Sequence, residues 1–410
     1  MILKPDKSLS IPFGTIHISD MAKKLINHAL DSGRVSCGAM VSEFEKEFAK
    51  IYNVKQAVSV STGTDADALA LAVTYDMGAK RGDQVIIPAL SFVATGNAVL
   101  QAGFEPLFVD VNRNTLNIEP ERIEEKITEK TKAIMPVHLM GKPAEMDAIN
   151  AIAKKYNLIV AEDAAEAHGA VYKGRKAGSL ADMGAFSTYV AHIISTIEGG
   201  VITTNNEKFA EILRSLRSHG RNCVCKSCVM NSGEIYCKKR FGSKDIEDIR
   251  FTFDRIGFSS KMNELEAAVG LDNIQSYDKI LSKRYKNLKA GMQIIEKFTP
   301  YIYTIKEERY EKIGPHALPI IIGSKASFSR RELINHLNKY YIDSRTLFNS
   351  IPTQCRGYMY LGYKLGEFPN AEYIGNNGIH IGIHQDITSS HLEYLDKVLL
   401  KFINKHIKIK

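Results

Sequence analysis

Between positions 56 and 204 the chain alternates short apolar runs with helix-patterned stretches, and this alternation restricts its fold more than any other feature. Val58-Ser59-Val60 runs into an Ala- and Leu-rich helical stretch from Ala66 to Tyr75. Gln84–Pro88, Leu107–Asp110, Ala133–Val137, Leu158–Asp163, Gly184–Ser187 and Gly200–Thr203 follow as strands. Runs that are apolar at successive residues suit strands covered on both faces. Separated by helices, they imply an α/β fold with a mainly parallel central sheet. Ligands of such sheets bind beyond the C-terminal ends of the strands.

The flanks extend this frame. Residues 20–51 predict two helices around the turn Asp31-Ser32-Gly33-Arg34. A long helix is expected from Asn263 towards Lys297, and residues 300–410 read as a smaller C-terminal α+β domain. The expected division is a large domain over 1–270, then an interdomain helix and small domain over 271–410. With 410 residues, 44% of them hydrophobic, the chain can build both cores. Residues 219–256 break the pattern: they are polar, basic and Cys-rich, without periodicity. A segment this long inside a compact domain is functional or disordered.

No apolar stretch approaches the roughly 20 residues needed to span a bilayer. Met1-Ile2-Leu3-Lys4-Pro5-Asp6 lacks an apolar signal core, so a cytoplasmic location is expected. The net charge of +8 comes partly from the tail Lys401–Lys410, read as a solvated helix end. Neither nucleic acid nor membrane is expected as a partner, whereas a mild positive field suits an anionic sugar nucleotide. Four of the six cysteines, Cys223, Cys225, Cys228 and Cys237, have the spacing C-x-C-x2-C-x8-C. In a cytoplasmic chain such crowding suggests a metal rather than disulfides. The spacing fits paired zinc knuckles poorly, and an iron–sulfur cluster, zinc and free thiols all stay open. Cys37 and Cys355 read as small buried apolar residues.

Polar residues cluster where strands end. Thr62-Gly63-Thr64 follows a strand and opens a helix, a turn that can bind phosphate. Asp163 ends a buried strand, where a carboxylate needs a partner; it either caps a following helix or faces a cation. His192 follows the strand ending at Ser187, and is either a satisfied core imidazole or a proton carrier. Phe92 reads as core on its own.

Ala185-Phe186-Ser187-Thr188-Tyr189-Val190-Ala191-His192, with Glu162–Gly169 upstream and Glu198-Gly199-Gly200 downstream, resembles the pyridoxal-phosphate (PLP) site of the DegT/StrS sugar aminotransferase family. Pro136–Pro143, Gly174–Ser179 and Gly257–Met262 extend the resemblance along nearly the full length. It implies the aspartate aminotransferase-like fold, fold type I. It also implies that Gly63, Thr64 and Ser187 hold the cofactor phosphate, and that Phe92 stacks on the ring. Asp163 would pair with the protonated ring nitrogen, and Glu166 would lie near the phenolic oxygen. Ser259 would reach the phosphate of the neighbour in a homodimer, and Arg345 would lie near the substrate. His168 reads as structural. Asp67 stands where the family carries an apolar residue, and Ser259 where most members carry Asn.

Most of the family has a lysine at position 192, which holds PLP covalently. An imidazole cannot do this but can move a proton. His192, and Gly382-Ile383-His384-Gln385-Asp386, are similar to the 3-dehydrase branch, which uses the amine form, pyridoxamine phosphate (PMP). That branch implies removal of the C-3 hydroxyl from a nucleotide-linked 4-keto-6-deoxyhexose, with His192 as the catalytic base. The cysteine loop ahead of Lys239-Arg240-Phe241 resembles the iron–sulfur 3-dehydrases of CDP-3,6-dideoxyhexose pathways. This implies a cluster on Cys223, Cys225, Cys228 and Cys237, fed by an electron-donating reductase. Cys228 would replace a ligand that those enzymes draw from the position of Ala164-Ala165. Without a cluster, hydrolysis would complete turnover, as in the colitose-pathway 3-dehydratases. A sugar aminotransferase with an unusual base is the rival on the same scaffold. A non-catalytic PLP-fold protein with a metal- or redox-sensing cysteine loop is the rival from another class.

Overall fold

The computed structural model describes residues 3–15, 18–226, 228–229, 236–241 and 248–407. Met1 and Ile2, Ser227, most of the stretch from 230 to 247, and the last three residues of the basic tail lie outside the described residues.

The N-terminal half builds a seven-stranded sheet. After α1 (Asp20–Asp31) and α2 (Ala39–Tyr52) come β1 (Gln56–Val60), α3 (Gly63–Ala72), β2 (Gln84–Pro88), α4 (Val93–Gln101) and β3 (Glu105–Val109). Next are β4 (Thr131–Ile134), α5 (Met146–Tyr156), β5 (Ile159–Asp163), the hairpin β6 (Val171–Tyr172) and β7 (Arg175–Lys176), β8 (Met183–Ser187), β9 (Gly200–Thr204) and α6 (Glu207–Leu216). The strand order is β1-β9-β8-β5-β4-β2-β3. Strands β8, β5, β4, β2 and β3 pair in parallel, whereas β9 runs antiparallel to both its neighbours. Side chains alternate across the sheet: Val85 and Ile87 enter one apolar cluster and Ile86 the other. Because both faces are buried, the strands are apolar throughout rather than at every second position.

α7 (Glu264–Glu296) is a single helix of 33 residues, started by a capping box between Asn263 and Glu266. Its first half packs on α1 and α2, and its second half on the smaller sheet. The Glu264 carboxylate accepts from the backbone N–H groups of Gly38, Met40 and Val41, and so caps α2 from a distant element. The C-terminal unit contains β10 (Ile302–Tyr303), β11 (Glu311–Lys312), β12 (Ala317–Ile322), α8 (Arg330–Lys339), β13 (Ser344–Thr346), α9 (Ile351–Gln354), α10 (Pro369–Asn377), β14 (Gly378–Gly382) and α11 (Ser389–Ile407). β10, β12, β14 and β13 form an antiparallel sheet, while β11 joins the β6–β7 hairpin of the large unit.

The first residues of the chain pack on this C-terminal unit. Ile11 donates to Tyr341 and accepts from Asp343 through its backbone, and the Asp6 N–H donates to the Tyr394 hydroxyl. The segment 219–256 forms no regular helix or strand among its described residues, which are joined by isolated bridges such as Arg221 with Phe253. No helix among the described residues is long and apolar enough to cross a membrane.

Candidate active site

Three strand ends converge on one edge of the large sheet. β1 passes through Ser61 and Thr62 into α3, β5 ends at Asp163, and β8 ends at Ser187. The Thr62 backbone is extended, and its Oγ1 accepts from the Asp65 N–H at 3.0 Å, which caps α3. The first turn of a helix presents N–H groups and a positive dipole end, both suited to phosphate. A Cβ at Gly63 would stand 2.6 Å from the Ser187 Cβ, so only glycine lets the helix approach β8 here. Gly200 is equally confined, since a Cβ there would stand 2.2 Å from the Thr62 carbonyl oxygen. The Ser187 hydroxyl accepts from the Tyr189 N–H at 3.3 Å, and Thr64 lies half-buried in the same turn.

Asp163 is buried. Its Oδ2 accepts from the Thr95 hydroxyl at 2.7 Å, and its Oδ1 from the Ala165 N–H at 3.2 Å. Burial raises its carboxyl above the ordinary range, and these two hydrogen bonds pull it back. No helix starts at Ala164; turns follow instead, so Asp163 is not a helix cap. Among the described residues no lysine or arginine pairs with it. Phe92 is 56% exposed, so it is not a core residue, and its ring lies 5.4 Å from that of Phe348.

His192 is half-buried, and its Nδ1 is buried without a hydrogen-bond partner. Burial, then the charges of His168 and Arg284, push it down to about 3. The ring is therefore neutral at pH 7 and keeps a nitrogen lone pair for a proton. Both nitrogens of His168 are occupied: Nδ1 accepts from the Tyr52 hydroxyl at 2.8 Å, and Nε2 donates to the Ser187 carbonyl at 2.9 Å. His168 thus braces the strand end that carries Ser187. The Glu166 Oε2 accepts from the Met140 N–H at 2.7 Å. Burial pushes the Glu166 carboxyl up to about 8, so it is mostly protonated at pH 7.

Two site residues escaped the sequence reading. His316, just before β12, places its ring 5.1 Å from that of His192 and its Nε2 3.4 Å from the Glu166 Oε1. Arg284, on α7, is buried and donates from Nε to the Gln385 Oε1 at 2.9 Å. With His192 and Ser276 it lines a cavity of about 90 Å³. Neither carries a local signal: Arg284 lies in a Lys-rich stretch that reads as a solvated helix face.

Arg345 is exposed on β13, opposite His380, with its guanidinium 3.7 Å from the Phe13 ring centroid. The rings of Phe13, His380, Phe348 and Phe92 follow one another at 5.1, 5.8 and 5.4 Å, so Arg345 stands across an aromatic row from Phe92. Ser259 is exposed and paired with Ser218, while the adjacent Ser260 carbonyl accepts from the Ser61 N–H at 3.1 Å. This segment therefore borders the phosphate turn of its own chain.

Cys223, Cys225, Cys228 and Cys237 share a cavity of about 850 Å³ with Cys37 and a set of lysines and arginines that includes Arg221, Lys239 and Lys261. Burial and the neighbouring Cys223 raise the Cys225 thiol. Among the described residues no three His, Cys, Asp or Glu side chains are arranged to hold a metal ion. Among the described residues the expected cluster geometry is thus not formed. The loop brings the thiols to one cavity but not to ligand spacing, and no step is derived through a metal.

The strand-end site does fit a pyridoxal-type phosphate. It offers a glycine-lined helix start, a buried carboxylate without a cation, an exposed aromatic face and an imidazole with an unused nitrogen.

The sequence signature of the DegT/DnrJ/EryC1/StrS aminotransferase family matches residues 17–399. A dTDP-4-dehydro-2,6-dideoxy-D-glucose 3-dehydratase of Saccharopolyspora spinosa is 31% identical over 96% of this chain and 86% of its own. A GDP-perosamine synthase of Caulobacter vibrioides is 33% identical over 89% of this chain and 91% of its own. The structure of the E. coli GDP-4-keto-6-deoxy-D-mannose-3-dehydratase with bound hydrated PLP superposes with a TM-score of 0.83 at 28% identity, covering 97% of this chain and all of that one.

Proposed function

The chain belongs to the DegT/DnrJ/EryC1/StrS aminotransferase family, and on that footing we infer that it is a PMP-dependent 3-dehydrase of a nucleotide-linked 4-keto-6-deoxyhexose. The observation that carries this is His192, a neutral imidazole with an unused buried nitrogen in place of a cofactor-anchoring lysine. When bound, PMP supplies an amine that condenses with a keto group and a ring that withdraws electrons. The turn Thr62-Gly63-Thr64 and the Ser187 hydroxyl hold its phosphate. Asp163 holds the ring-nitrogen proton, kept in place by Thr95 and Ala165. Phe92, whose ring is exposed beside Phe348, would stack on the ring. His192 would take up the proton whose removal lets the C-3 hydroxyl leave as water, the two electrons for the deoxygenation coming from the amine cofactor or from a reductase. Glu166, mostly protonated at neutral pH, would donate a hydrogen bond to the phenolic oxygen. Arg345 faces the anionic nucleotide sugar.

The test is direct. Protein loaded with PMP is mixed with GDP- or dTDP-linked 4-keto-6-deoxyhexoses and an amino donor, with and without a chemical reductant, and the products are followed by NMR. Loss of the C-3 hydroxyl without transfer of nitrogen is expected. A 4-amino sugar formed at the expense of an amino donor would overturn this reading in favour of the aminotransferase, which the likeness to GDP-perosamine synthase supports.

Two finer elements belong to the same proposal. The sequence spacing of the four cysteines is what speaks for an iron–sulfur cluster served by a reductase, against the absence of ligand spacing among the described residues. Anaerobically purified protein should then contain iron and acid-labile sulfide; zinc without sulfide would remove this element. A homodimer in which Ser259 reaches the partner's cofactor phosphate is the second element. An active monomer in sedimentation would rule it out.

A further inference from the structure

Asp67 lies on α3 one helical turn beyond Gly63, and so faces the same way as Gly63, towards β8 and β5. It is 3% exposed, and its Oδ1 has no hydrogen-bond partner. Asp163 is the charged group that acts on it. From β1, β8, β9, α4 and α6, which also pack on α3, no charged side chain offsets it among the described residues. Two carboxyl groups in one dry site cannot both ionise, and the better-solvated one takes the charge. Asp163 has donors in Thr95 and Ala165, whereas the Asp67 Oδ1 has none. Asp163 is therefore the anion, and Asp67 keeps its proton. Burial first, and the Asp163 charge second, hold the Asp67 carboxyl well above its ordinary range.

We propose that Asp67 is a positioning residue acting through Asp163: its retained O–H dipole tempers the negative charge that Asp163 presents to the protonated nitrogen of the cofactor ring. This rests on the cofactor reading above. A neutral acid near an anion can turn its O–H dipole to it, which spreads that anion's charge and weakens its pull on a second cation. The ring nitrogen then gives up its proton more readily than it would beside an Asp163 with apolar surroundings. A charged Asp67 would act in the opposite sense, so the direction of the effect is diagnostic.

The experiment uses the full chain loaded with PLP labelled with ¹⁵N in the ring, titrated with pH by NMR. In Asp67→Leu the ring nitrogen should keep its proton to a higher pH, by about one unit, whereas Asp67→Asn, which retains a donor dipole, should titrate close to the parent. Asp67→Ala serves the same purpose should the Leu variant not fold. An unchanged titration in the Leu or Ala variant, or a downward move in both Leu and Asn, would overturn the proposal. A purely structural role would change thermal stability alone. Failure of the parent protein to bind PLP would instead strike the cofactor reading.

Discussion

The imidazole rings of His192 and His316 stand 5.1 Å apart at an inclination of 34°. A proton on one would set a positive charge against the other, and burial adds to that cost. Both rings are held below the ordinary histidine range, His316 well below it and His192 at about 3. At neutral pH both rings are uncharged, so His192 is in the form that can take up a proton and the pair supplies no spare cation.

Replacing His192 with Asn removes that acceptor and keeps the polar volume. Turnover should fall by about 10²- to 10⁴-fold, the usual contribution of a general base. Cofactor affinity should change little, because Asp163 and the Gly63 turn are intact. Single-turnover rates and a spectroscopic binding titration separate the two effects, and equal losses in both would contradict the assignment.

Glu166 sets a pH dependence of stability. Burial lifts its folded value from 4.5 to about 8, so the folded protein holds a proton that the unfolded chain has lost. That contribution is complete below about 4.5 and disappears as pH rises through about 8. Urea midpoints of the parent should therefore decline over this window. Glu166→Gln is neutral in both states and should show a shallower decline.

Gly63→Ala places a Cβ 2.6 Å from the Ser187 Cβ. Separating α3 from β8 should cost about 1–3 kcal/mol, the range for overpacking. The same displacement opens the phosphate turn, so PLP affinity should fall together with the melting temperature. Retained affinity in a destabilised variant would place the phosphate elsewhere.

Glu45 and Arg217 form a buried pair at 2.6 Å that also holds Ser59 of β1. Glu45→Ala strands the guanidinium in the interior. The expected loss is about 3–5 kcal/mol, as when one partner of a buried pair is removed. Denaturant unfolding measures it, and a loss below about 1 kcal/mol, the range of an exposed pair, would show that water reaches Arg217.

Much of the fold was legible from local pattern. A strand buried on both faces leaves an unbroken apolar run, so Gln84–Pro88 could be read to the residue. The long helix from Asn263 was legible for the same kind of reason, since its capping box lies in four consecutive residues. The positions proposed for the site stood out where they follow strand ends, as Gly63 after β1, Asp163 and Ser187 at the ends of β5 and β8, and His192 in the turns beyond β8. Phe92 alone reads as core, yet the tertiary structure leaves its ring exposed.

The sequence by itself determined which segments become strands and helices, because periodicity and capping act over a few residues. It also excluded a Schiff base at position 192, because no environment lets an imidazole replace an amine in a covalent link to PLP. Only the tertiary structure decided that β9 runs against its neighbours, that Arg284 and His316 arrive beside His192, and that four crowded thiols face a cavity without forming a ligand set among the described residues. It likewise decided that Asp67 is buried on α3, which packs against β5, within the influence of the Asp163 charge. Burial and charge proximity are set by residues far apart in the chain, and no local pattern encodes them.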